Sequence, residues 1–165
     1  MDYAKFPKPK DDGKASHLLN KHLPAISLKN QQGNLLNLKR SDTFRLILYF
    51  YPMTGNPNKT LPQNWDKIPG ATGCTSETCT FRDNYEEFKK FNAEILGVSR
   101  DSIKSHVNFI EKQNFPFDLL SDPDEVMCKS FDVMREKSMY GKKYIGVDRS
   151  TFLIDSKGMI VKEWR

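Results

Sequence analysis

The sequence predicts an α/β domain in which a mixed central β-sheet is flanked by helices and carries a β-hairpin near its N-terminus. Three observations predict it. The continuous apolar run RLILYFYP (45–52) reads as a strand buried on both faces and stopped by proline. Downstream of it, segments of strand and helix character alternate, the order that builds a sheet with helices on both faces. Two further pairs of short apolar segments, around QQG near the start and DSKG near the end, read as hairpins.

Residues 1–22 are polar, contain two prolines and hold no sustained period, so they read as an arm lying over a domain that spans 23–165. ISLKNQQGNLLNL supplies the first hairpin, and RLILYFYP supplies the central strand. The segment 53–73, MTGNPNKTLPQNWDKIPGATG, has three prolines, three glycines and no periodicity. It reads as a long loop, and loops of that size inside a compact domain tend to be functional. From Cys74 onward Phe81, Tyr85, Phe88 and Phe91 recur at helical spacing, predicting an amphipathic helix of roughly five turns. Then come the strand AEILGVS, the helix DSIKSHVNFIEKQ with Asp101 as its cap, the strand FDLLSD and the helix PDEVMCKSF opened by Pro123. A Gly- and Lys-rich connection leads to the closing pair STFLID and MIVKEW.

At 165 residues one domain can bury a full core without disulfide staples. The net charge of +5 comes from 26 basic and 21 acidic residues spread along the chain. A nucleic-acid footprint would be a clustered basic stripe, so nucleic acid is not expected as a partner. The N-terminus is polar and no run approaches the ~18 apolar residues of a membrane span. Neither an export signal nor a membrane anchor is expected. An odd count of three cysteines argues for reduced thiols in the cytoplasm and against a secreted disulfide framework.

The chemistry concentrates in GATGCTSETCTFRD (70–83). Cys74 follows a glycine-rich loop and opens a helix, where unpaired N–H groups and the macrodipole favour thiolate over thiol. That marks it as a nucleophile. Cys79 lies five residues on, which along an intact helix separates the two Cα atoms by roughly 8 to 9 Å. A disulfide needs less than ~7 Å, so the pair can join only if the first turns unwind. Cys79 is either that redox partner or a thiol packed against the core. Cys128, with Val126 and Phe131 beside it, reads as buried and structural. The histidines share no spacing with the cysteines, and C-x₄-C alone is a poor zinc signature, so no metal is expected.

YFYP, GCTSETCTFRDNYEEF, ILGVSRDSIKSHVNFIEKQNFPFDLLSDPDEVMCKSFDV and MYGKKYIGVDRSTFLIDSKG together resemble the peroxiredoxins, in particular their bacterioferritin-comigratory or Q-type branch. The resemblance runs from about residue 20 to the end. It implies a thioredoxin-like fold and a thiol-dependent peroxidase acting on hydrogen peroxide and organic hydroperoxides, recycled by thioredoxin or a similar dithiol, with no cofactor, as a monomer or weak dimer. It further implies that Cys74 is the peroxidatic cysteine, Cys79 the resolving cysteine that forms an intramolecular disulfide with it, Glu77 the acid of the signature and Arg149 the active-site arginine. The chain departs from the family's Pro-x-x-x-Thr-x-x-Cys. Pro52 lies 22 positions before Cys74 instead of seven, and Ala71 stands where the peroxide-binding threonine belongs. Thr72, Thr75 and Thr54 are the candidates for the missing hydroxyl. The alternative reading is a thioredoxin-like redox carrier or binding protein without efficient peroxide turnover. The chain also ends directly after its last strand, where relatives continue into another helix.

Overall fold

A computed structural model describes residues 10–38, 44–54, 60, 73–139 and 141–165. Among them, seven strands form one mixed sheet in the order β2-β1-β5-β4-β3-β8-β9. β3 (Arg45–Phe50), β4 (Ala93–Ser99) and β5 (Asp118–Ser121) run parallel at its centre. The N-terminal hairpin of β1 (Ser27–Asn30) and β2 (Leu35–Asn37) adds antiparallel to β5, and β8 (Ser150–Ile154) with β9 (Ile160–Trp164) adds antiparallel to β3. The expected fold class and both expected hairpins are present.

β3 is central because every second side chain has a different core to fill. Leu46, Leu48 and Phe50 join Leu96, Val98, Phe131 and Phe152 on one face. Ile47, Tyr49 and Tyr51 join Ile95, Phe109, Phe117 and Leu119 on the other. A strand buried on both faces has no polar alternation to show, which is why it reads as one apolar run. The second face is covered by α1 (Gly73–Asp83), α2 (Tyr85–Lys90) and α3 (Ile103–Gln113), and Cys74, Cys79, Phe81, Tyr85 and Phe88 pack there. The first face is covered by α4 (Val126–Ser130) and by a 3-10 turn at Ser16–Leu18, which buries Ala15 and Leu18.

Four local expectations are corrected. The five-turn helix is two helices, interrupted at Asn84, whose side chain donates to Thr80 O at 2.9 Å. α3 is capped by Ser102, which accepts from Ser105 N at 3.2 Å; Asp101 points back to accept from Ser99 Oγ and Thr54 N, both at 2.7 Å. α4 starts at Val126 instead of Pro123, because Asp122 accepts from the N–H groups of Val126 and Cys128 across a left-handed Glu125. The Gly- and Lys-rich connection is a second, two-stranded sheet, β6 (Met134–Met139) with β7 (Lys142–Val147), turning at Gly141 with φ +74°. Residues 142–145 are all exposed, so the hairpin lacks the apolar alternation that would announce it.

Gly97 on β4 is a requirement of packing. It lies opposite Tyr49, and a Cβ there would meet the Tyr49 hydroxyl at 2.5 Å and Leu119 at 2.7 Å. The tyrosine reaches across the strand through that gap.

Candidate active site

Cys74 is the second residue of α1 and half-buried on the aromatic face of the sheet. Arg149 arrives from the opposite direction, immediately before β8, the strand paired with β3. Its Nη2 donates to Cys74 Sγ at 3.3 Å while its Nη1 is ion-paired with a Glu77 oxygen. Glu77 is one helical turn beyond Cys74, so i and i+3 share a face and one guanidinium spans both. The other Glu77 oxygen lies 3.5 Å from Thr151 Oγ1. Gly73 makes room for this arrangement, since a Cβ there would meet Arg149 Nη2 at 2.9 Å.

The electrostatics follow from burial around a fixed cation. Burial raises the Glu77 carboxyl above the ordinary range, with Arg149 opposing it. Burial works against the charge on Arg149, but Glu77 and Cys74 outweigh it and raise the guanidinium further. The cation is therefore permanent, and its planar fork fixes sulfur and carboxylate together.

Sequence reasoning missed the supports beneath. Thr78, fully buried, donates to Cys74 O at 2.9 Å and lies 3.3 Å from the buried Tyr49 hydroxyl. The first turn of α1 is thus tied to the central strand. Beside it, Tyr51 and Ser99 each reach His106 Nε2, at 3.1 and 2.8 Å, and Ser99 in turn meets Asp101. A tyrosine in an apolar run and a histidine on a helix announce a core; the hydroxyls they share appear only when the sheet is assembled.

The other predicted residues are placed as follows. Cys79 is half-buried on α1, unpaired, with its thiol donating to Gln113 Oε1 at 3.6 Å. Burial raises that thiol above the ordinary range. Thr75 is half-buried on α1, and Pro52 is half-buried just after the central strand. Thr54 is buried, its N–H held by Asp101 and its hydroxyl without a hydrogen-bond partner among the described residues. Thr72, Ala71 and most of the loop 53–73 lie outside the described residues. Cys128 is fully buried, where burial and then Asp122 push its thiol far up. Among the described residues no three His, Cys, Asp or Glu side chains converge to hold a metal, and no helix is long and apolar enough to cross a membrane.

Comparison with known proteins adds an independent line. Residues 68–163 match the model of the AhpC/TSA family. The chain is 48% identical to Peroxiredoxin Bcp of Xanthomonas campestris pv. campestris over 73% of its own length and 66% of that relative's. It is 41% identical to Peroxiredoxin Bcp of Bacillus subtilis over 86% of its own length and 81% of that relative's. A mutant of Xanthomonas campestris Peroxiredoxin Q superposes with a TM-score of 0.72 at 43% identity, covering 87% of this chain and 84% of that one. A second solved structure, of the Xanthomonas campestris bacterioferritin comigratory protein and described in terms of its alkyl peroxide reduction activity, superposes with a TM-score of 0.71 at 42% identity, covering 87% and 84%.

Proposed function

Because the chain belongs to the AhpC/TSA family, among the peroxiredoxins of the Bcp or Q type, we propose that it is a thiol-dependent peroxidase in which Cys74 is the attacking thiol. The observation that carries the reading is the Arg149 fork, with one nitrogen 3.3 Å from Cys74 Sγ and the other held by Glu77.

The Cys74 thiolate attacks the nearer peroxide oxygen. An S–O bond forms as the O–O bond breaks, and the departing alkoxide or hydroxide takes a proton to leave as alcohol or water. Arg149 stabilises negative charge on the sulfur and on the departing oxygen, from a position that needs no rearrangement during the reaction. Glu77 is the group that keeps the fork aimed. Pro52 and a threonine hydroxyl, from Thr72 or Thr75 with Thr54 as the third candidate, complete the peroxide site in place of the threonine replaced by Ala71.

Cys79 then attacks the sulfenic sulfur, an S–S bond replaces the S–O bond, and water leaves. An external dithiol of the thioredoxin class restores both thiols. No metal or organic cofactor enters any of these steps. The chain works in the cytoplasm as a monomer or weak dimer.

Peroxide consumption coupled to a thioredoxin system tests the reading. The parent should turn over and Cys74→Ser should lose all activity above background. Turnover retained by Cys74→Ser would overturn it.

A further inference from the structure

The following inference rests on Cys79 being the thiol that resolves the Cys74 sulfenic acid. Resolution requires α1 to unwind as far as Cys79, so whatever holds that thiol in place sets how fast the step can begin. Two contacts converge on one residue at the end of α3. The Cys79 thiol donates to Gln113 Oε1 at 3.6 Å, and Arg82 Nη1 donates to Gln113 O at 2.7 Å. Gln113 is the last residue of α3, which ends at a left-handed Asn114 with φ 55°. The chain beyond is fixed by Phe115, whose ring packs 4.8 Å from Phe109 and 5.6 Å from Phe117. Gln113 therefore stands on rigid ground. On α1, Phe81 packs 4.8 Å from Tyr49, anchoring the helix just past Cys79. The stretch that must unwind ends between Cys79 and Phe81, and the thiol contact to Gln113 lies at its boundary.

We propose that Gln113 is a positioning residue of the resolving step: its side-chain oxygen holds the Cys79 thiol in the helical position, and Arg82 acts through it by gripping its carbonyl, so that breaking the Cys79–Gln113 contact limits disulfide formation. The step that follows is balanced within the protein. Cys79 Sγ bonds to Cys74 Sγ, the S–O bond breaks, and the leaving hydroxide combines with the Cys79 proton as water. While that proton is donated to Gln113, neither it nor the sulfur is available. Gln113 thereby lengthens the life of the sulfenic acid and its exposure to a second peroxide.

Quenched rapid mixing of the reduced full chain with hydrogen peroxide separates the two steps by mass and by sulfenic-acid trapping. Gln113→Ala should leave the first, peroxide-dependent step unchanged, speed the disulfide step by about 2- to 10-fold, and yield less Cys74 sulfinic acid at high peroxide. Gln113→Met, which keeps the bulk of the side chain, should behave alike. Arg82→Ala should shift the disulfide step in the same direction by less, and add nothing in the double variant. Disulfide formation at the parent rate or slower in both Gln113 variants would overturn the proposal, as would a full additional effect of Arg82→Ala in the double variant. If neither parent nor variants form a Cys74–Cys79 disulfide at all, the assignment of Cys79 itself fails and the latch falls with it.

Discussion

Cys74 and Cys128 both sit in the opening turn of a short helix, yet they differ in almost everything a thiol can feel. In α1 the group facing the sulfur is the Arg149 guanidinium at 3.3 Å. In α4 it is Asp122, whose carboxylate accepts from the Val126 and Cys128 N–H groups at 2.9 and 2.8 Å. Those N–H groups are the ones that would otherwise favour an anion at a helix start. Asp122 takes them for itself, and burial first, then Asp122, drives the Cys128 thiol far above its ordinary range. Helix position alone thus does not make a reactive cysteine. The sign of the nearest side chain and the access of solvent are what distinguish the two thiols.

Removing the cation should break the contrast most sharply. Arg149→Ala should lower the rate of peroxide attack by about 10²- to 10³-fold, the usual loss for a donor aimed at developing charge. The check is single-turnover sulfenylation. A rate within a factor of two of the parent would mean that α1 needs no cation to outdo α4.

Burial acting nearly alone is visible in His106, which the same hydroxyl network holds with no solvent access. Burial lowers it from 6.5 to about 4, with Asp101 opposing. The unfolded chain therefore binds a proton that the folded one refuses between these values. Stability should be complete above about pH 6.5 and fall progressively towards pH 4, by on the order of 3 kcal/mol. Denaturant melts across that window should lose much of this slope in a folded His106→Gln variant.

Asp122→Asn sharpens the comparison from the other side. It keeps an acceptor but removes the charge, so stability should drop by about 1 to 2 kcal/mol, read by urea unfolding. Cys128 should nevertheless alkylate no faster than the unfolding rate allows, because burial remains. The smallest effect on activity is expected of Cys128→Ser, which should leave turnover within about two-fold while costing ~1 to 3 kcal/mol of stability for a hydroxyl placed in an apolar core.

The sheet was legible because its central strands and closing hairpins carry their burial in their sequence. The β6–β7 hairpin was not, since the four exposed residues 142–145 that open β7 break the apolar alternation and look the same as a loop. The helix starts shifted by one residue at α3, where Asp101 accepts from Thr54 and Ser99 instead of capping, and by three at α4, where Asp122 accepts from the N–H groups of Val126 and Cys128. At the candidate site, the cysteine at a helix start was readable from local order. Its meeting with Arg149, 75 residues away, came from resemblance alone. Nothing in the sequence marked Thr78, Tyr49 or Gln113, because a threonine inside a helix and a tyrosine inside an apolar strand are ordinary until their partners are known.

Gly97 shows how far the demands of one hydroxyl extend. The Tyr49 side chain can meet Thr78, and through it the first turn of α1, only by passing where any larger residue on β4 would stand. A saturation scan scored on peroxide resistance should therefore rank position 97 with Cys74, from which it is separated by Tyr49 and Thr78. Alanine there should shift α1 off its register with the sheet while leaving the strand order intact.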